Sequence, residues 1–281
     1  MVNNVLKMDI YQPFAHYREP KVMEDDFVPT LHLPTATTVA GLISYLVDRK
    51  AKSIFKIGIV GTYRNKEIHF VRGENSDYWS KMRTYQKRME KIQVPYSEYA
   101  VFYKERRAGN RIMNFEVLQD VYLTIFIHTE DKTEYEMIKK ALESPTKYLS
   151  LGRKEDFFVP QKKGCIVREV RVEEMQVENK KQAIMQDLCI KNTYVPVSLD
   201  SNDEETLNRL RSGVLYALPR TYKDLTAEKK DRQMVYGHYV YIDNNGFYPS
   251  KGKVQVYRDE ETKETTAFFW LWEGGKTHEE C

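Results

Sequence analysis

The chain has 281 residues, 41% hydrophobic and 30% charged, with 20 tyrosines, 12 phenylalanines and a net charge of +3. That length suits one large domain or two modest ones of ~100–200 residues, and the near-balance of charge argues against any partner being chosen by bulk electrostatics. No apolar run approaches the ~18 residues of a membrane span, and Cys165, Cys189 and Cys281 lack a C-x-x-C spacing, so they read as free thiols and give no support to a disulfide framework or a zinc site.

The opening MVNNVLKMDIYQ carries no basic-then-apolar signal, so a cytoplasmic protein is the expectation. Residues 5–11 alternate Leu6, Met8 and Ile10 with Lys7, Asp9 and Tyr11, the period of a half-buried strand, and Pro13 predicts a bulge or an edge there. LPTATTVAGLISYLVDRKAK places Val39, Leu42, Ile43, Leu46 and Val47 on one helical face, with threonines at the cap and Arg49, Lys50 and Lys52 at the end favoured by the dipole. Strands follow at 53–63 and 115–129, the latter with Val121, Leu123, Ile125 and Ile127 sharing a face. DKTEYEMIKKALESP puts Tyr135, Ile138 and Leu142 on one stripe and stops at Pro145, and the segment after it supplies a turn and a short strand.

Strand, helix, strand, strand, helix, strand is the split βαβ order of an α+β, ferredoxin-like fold with both helices on one sheet face and the other face free. The expected division is a ferredoxin-like unit over 1–160, interrupted by an insertion at 73–114, and a β-rich region over 161–281. CIVREVRV, VYGHYVYID, KVQVY and TAFFWLW are its strands, with a turn at 244–246, and SLDSNDEETLNR is a solvated loop leading into a short helix.

From Arg72 to Asn114 the insertion holds ten Lys and Arg against five Asp and Glu, interleaved with aromatic residues. Cations neutralise phosphates and rings stack on bases, so the mixture suits single-stranded nucleic acid; the plainer alternative is a solvated helix, Lys81 to Lys91, and an ordinary hairpin. EYAVFYKERRAGNRIMNFE reads as a hairpin tipped by Ala108-Gly109-Asn110, gathering Arg106, Arg107 and Arg111. At LPTATT, helix N-H groups and the hydroxyls of Thr35, Thr37 and Thr38 make a phosphate pocket or a plain N-cap. In YLSLGRKEDFF, Gly152 permits close approach to a ligand, Arg153 and Lys154 add donors, and the two phenylalanines anchor the turn.

FAHYREP at the first strand's end, P-T-x-T-T-V-x-G-L opening the first helix, and YLSLGRKEDF after the second resemble, in order and spacing, the Cas-five family of the RAMP superfamily, the type I CRISPR subunit that caps the guide RNA in Cascade. The tail and its LYALPRTY look most similar to the type I-B branch. The resemblance implies a ferredoxin-like core with a thumb-like hairpin inserted between the second and third strands. It implies a non-catalytic subunit that binds and caps the 5′ handle of the crRNA and joins the Cascade backbone and large subunits, with target DNA nearby and no cofactor, metal or membrane. Carried onto this chain, the handle pocket would comprise Arg18, Thr35, Thr37, Thr38, Gly152, Arg153 and Lys154, with Lys21 a further RNA-binding residue after the first strand, and the thumb contacts Arg106, Arg107 and Arg111.

Some relatives look like metal-independent endoribonucleases, which need a base for the 2′-hydroxyl and an acid for the leaving oxygen. His16, His32, Tyr45 and Lys50 are the candidates for that alternative, and no two have a compelling spacing. The acid pairs Asp25-Asp26, Glu173-Glu174 and Glu204-Glu205 are sequence neighbours whose side chains diverge on strands, without a histidine to complete a metal set.

Overall fold

The computed structural model describes residues 2–19, 27–48, 55–73, 76–93, 111–161, 166–200, 203–224 and 232–273. The first strand, β1 (Val2–Ala15), extends the predicted alternation in both directions and pairs antiparallel with β5 (Arg111–Thr129). Pro13 is the gap in that ladder: Gln12 and Phe14 have partners on β5, and Asp120, opposite the proline, turns to φ 47. A proline offers no N-H to a neighbour, which explains the irregularity.

Helix α1 (Ala36–Leu46) is capped by Thr35 and buries Val39, Leu42, Ile43 and Leu46, but ends at Val47, short of the basic run expected to close it. Helix α3 (Lys132–Glu143) is capped by Asp131 and buries Tyr135, Ile138 and Leu142. Between them lie β3 (Phe55–Thr62), β4 (Asn65–Gly73) and α2 (Ser76–Lys91). The helix within the insertion is therefore longer than Lys81 to Lys91, and the hairpin tip with Arg106 and Arg107 lies outside the described residues. Lys21 and Lys50 lie outside them too.

β3 and β4 pair with β5 in one continuous register, Phe55 with Thr129 at one end and Gly73 with Arg111 at the other. β1 stops following β5 at Leu118, so the β4–β5 portion extends past β1 as an arm, flanked along Asn114–Phe115 of β5 by the short parallel strand β2 (Phe27–Val28). Ile68 and Phe70 point outward from the arm, 66% and 69% exposed.

Among the described residues thirteen strands form one mixed, largely antiparallel sheet that crosses the 160/161 boundary. β6 (Val159–Pro160) and β7 (Val167–Val177) pair with β1; β8 (Thr193–Val197) meets β3; β9 (Val214–Asp224) and β10 (Arg232–Ile242) extend that side. β11 (Gly252–Arg258) and β12 (Thr265–Phe268) continue from β7, and β13 (Trp272–Glu273) returns to β3. Two short helices, α4 (Lys180–Met185) and α5 (Glu204–Arg211), accompany the tail strands.

Both α1 and α3 pack on one sheet face, where Leu6, Met8, Ile10, Ile57, Ile59, Leu123 and Ile125 are buried with them. The opposite face is not free, as expected from the sequence, but half covered. Val5, Phe126 and Val172 are buried there beneath Tyr257 and Phe268, and Phe126 stacks on Phe268 at 4.3 Å. Gly58 makes this closure possible, because a Cβ at that position would lie 2.4 Å from the Phe268 ring. A further core, with Val177, Val195, Val240, Val254 and Phe269, belongs to the tail strands.

Candidate nucleic-acid interface

The glycine loop, residues 149–158, is stitched to the end of β1 by buried polar groups. Gln12 Nε2 donates to Leu151 O at 2.9 Å and Asp156 O at 3.0 Å. The Asp156 carboxylate, 1% exposed, accepts from His16 N and Arg153 N at 2.9 Å each and from the Arg153 guanidinium at 2.7–3.2 Å. Gly152 sits at φ +109, and an added Cβ would lie 2.8 Å from His16 O and 2.9 Å from Asp156 Oδ2. Only glycine fits that backbone and that approach.

This accounts for Arg153 differently from the sequence reading. Its guanidinium is held by Asp156, faces Glu155 at 3.4 Å and lies over the Phe115 ring at 5.9 Å. The side chain organises the loop, and the exposed Lys154 is left with no described ion-pair partner. Of the two phenylalanines, Phe158 is buried and anchors the loop, whereas Phe157 faces solvent.

At the start of α1, Thr35 Oγ1 accepts from Thr38 N and lies 2.8 and 2.9 Å from the hydroxyls of Thr37 and Thr38. The three threonines form an N-cap cluster. One helical turn on, Thr38, Gly41, Leu42 and Tyr45 fall at i, i+3, i+4 and i+7, on a face that meets Tyr148, Leu151, Gly152 and Lys154 across a cleft of about 430 Å³. The structure thus brings Thr38, Gly152 and Lys154 to one place. Tyr45 and Tyr148 are 49% and 59% exposed there. Lys147 lies 4.7 Å from the Tyr45 ring and bonds Tyr45 O and Asp48, fixing the helix end against the loop. No carboxylate lines the cleft among the described residues, so it offers rings, hydroxyls and one free ammonium. Those groups can stack a base and hold a phosphate.

The remaining candidates lie elsewhere. Arg18 is exposed on a short bridge to Thr30, and Arg111 opens β5 at the end of the arm. His16 is buried beside Phe115 with Nδ1 2.7 Å from Glu116 O, and burial lowers its pKa. His32 is stacked on Tyr241 at 4.2 Å and shares a 2.6 Å hydrogen bond with the Tyr63 hydroxyl; burial, then the Lys66 charge, brings its pKa down to about 4. Neither histidine lines the cleft with Tyr45. No group of three metal-ligating side chains occurs among the described residues, and no helix there is long and apolar enough to cross a membrane.

The sequence profile of the family described as CRISPR-associated protein (Cas_Cas5) matches residues 5–224, and the chain belongs to that family. No match was found among curated protein sequences. Among solved structures, the chain is similar to one from a CRISPR RNA-guided surveillance complex, at 15% identity over 88% of this chain and 91% of that one, TM-score 0.41. It is also similar to a CRISPR protein from Archaeoglobus fulgidus, at 10% identity over 94% and 98%, TM-score 0.37. A chain of the type III-B Cmr-beta complex, bound to cognate target RNA and AMPPnP, shares 13% identity over 86% of each, TM-score 0.37.

Proposed function

We propose that this chain is the non-catalytic subunit of a type I CRISPR Cascade surveillance complex, of the I-B branch, that binds and caps the 5′ handle of the crRNA. The single observation that carries the reading is the cleft in which the Thr38-Gly41-Leu42-Tyr45 face of α1 meets the glycine loop, in a chain of this family. Tyr45 and Tyr148 receive bases, Lys154 receives a phosphate, and Thr38 supplies a hydroxyl. Thr35 and Arg153 shape the walls, and Arg18 borders the same strand end. The neighbour order β6-β1-β5-β3, joined through α1 and α3, supports reading the core as ferredoxin-like. The arm and the basic insertion beyond it, with Arg106, Arg107 and Arg111, are the thumb that meets RNA and the backbone subunit, and the large subunit and target DNA lie nearby in the complex. The protein works in the cytoplasm.

Anisotropy titrations of a labelled handle RNA test this. Lys154→Glu is expected to weaken binding about tenfold and to reduce the log-log salt slope by about 0.7, one phosphate's share on a single strand. Unchanged affinity in Lys154→Glu and in Thr38→Asp would sink the proposal. The alternative, metal-independent cleavage of precursor RNA, has Tyr45's place in the cleft in its favour. A discrete product formed in EDTA and lost in Tyr45→Phe would replace the first reading with the second.

A further inference from the structure

We infer that the cavity between β8, β10 and the Trp270–Leu271 segment binds a phosphorylated nucleotide, either a free mononucleotide or the end of a strand, with Trp270 against the base and Arg220 and His238 on the phosphate. Two residues of sequence motifs that the RNA cleft leaves unused, Arg220 of LYALPRTY and Trp270 of WLWEGG, line it.

The cavity exists because two neighbouring strands differ in reach. β8 ends at Val197, paired with His238, while β10 continues to Arg232 with β9 alone. Next to that end lies a space of about 390 Å³, inside the ~300–1,000 Å³ range of small-molecule sites. Gly237 adds no side chain to its wall. Trp270 is held in place beside it: the indole stands edge-on to Phe268 at 5.2 Å, Leu271 N donates to Ile57 O at 2.8 Å, and Tyr239 Oη donates to Leu271 O at 3.0 Å. A ring fixed by its neighbours loses little freedom when a base stacks on it.

The charges select an anion. Arg209, Arg220 and His238 line the cavity and no carboxylate does, among the described residues. Arg209 is already committed, donating to Glu205 Oε1 and Pro196 O at 2.9 Å each and lying 4.7 Å from the Phe269 ring. Arg220 and His238 are exposed and have no described hydrogen bond or ion pair, and Ser198 lines the same cavity. An uncommitted guanidinium beside an imidazole, a hydroxyl and an indole matches a phosphate joined to a base better than either part alone.

Calorimetric titration of the full chain with AMP, inorganic phosphate, adenosine and a 5′-phosphorylated tetranucleotide tests the assignment. AMP is expected to bind about tenfold or more tighter than phosphate or adenosine, and Arg220→Glu to weaken AMP by about tenfold or more, the scale of one lost charge-assisted contact. Arg220→Glu removes no described contact, so retained circular dichroism and melting are expected alongside the lost binding. Lys154→Glu should leave AMP affinity within about twofold, which separates this site from the RNA cleft. Tighter binding of the tetranucleotide than of AMP, abolished by Arg220→Glu, would assign the site to a strand end; equal affinity would assign it to the free nucleotide. The inference is overturned if AMP binds no tighter than phosphate, if Arg220→Glu binds AMP like the parent, or if no saturable AMP binding occurs up to ~10 mM.

Discussion

The glycine loop and the cavity beyond β8 each present an arginine, and the two arginines have opposite fates. Arg153 is tied to a buried carboxylate and has a ring beneath it, whereas Arg220 has no described partner. The loop's polar groups are consumed in holding one backbone shape, so its ligand-facing chemistry falls to the neighbours, Lys154, Thr38 and the two tyrosines. In the cavity the shape comes from strand ends and a pinned tryptophan, Arg209 and Tyr239 are committed, and Arg220 and His238 have no described hydrogen bond or ion pair. A basic residue in a turn is therefore weak evidence of a contact until its own carboxylate neighbours have been counted.

The sharpest break in that comparison is Asp156→Ala. It leaves the Arg153 charge and two N-H groups without their acceptor, and a loss of about 3–5 kcal/mol in urea unfolding is expected. Gly152→Ala comes next, at about 1–3 kcal/mol, from a positive φ that alanine resists and a Cβ pressed on His16 O. If either variant melts like the parent, the loop is not the rigid element described.

His32 joins the two halves, stacking between the core strand end and Tyr241, with Lys66, Glu116, Asp243, Tyr63 and Tyr216 around it. Its folded pKa lies below the unfolded value, so the unfolded chain takes up the proton first as pH falls. Its contribution is complete above about pH 6.5 and is lost progressively toward about pH 4. His32→Gln is expected to flatten stability across that window by on the order of 1 kcal/mol, the remaining slope including His16, whose pKa moves the same way. The smallest effect should be Arg220→Glu, within ~0.5 kcal/mol of the parent. A larger loss would mean that Arg220 holds the fold as Arg153 does.

Helices α1 and α3 and strands β1, β3 and β5 were legible because each buries one face against a common core, which imposes a clear period on Val39, Leu42 and Ile43 or on Val121, Leu123 and Ile125. β4 was not, because its apolar Ile68 and Phe70 are the outward residues of an arm and record no burial. The two-residue β6 and edge strand β9, with Pro219 inside it, gave little to read. In the cleft, the threonines, glycine and lysine were visible as letters. The face Thr38-Gly41-Leu42-Tyr45 has a helical period in the sequence, but only the fold shows that the glycine loop lies opposite it. Asp156 could not be weighed from sequence, where it stands in a charged run; burial alone turns it into the loop's anchor.

The unbroken register of β3 and β4 along β5 has a mechanical consequence. Side chains alternate faces at every residue, so one residue inserted at Tyr63–Arg64 would turn the β4 side chains over relative to β5, hiding Ile68 and Phe70 and presenting Glu67 and His69 instead. Whatever that limb touches is thus addressed by the spacing of β3 and β4, and a change of length at their junction would be felt as a change of surface at Ile68 and Phe70.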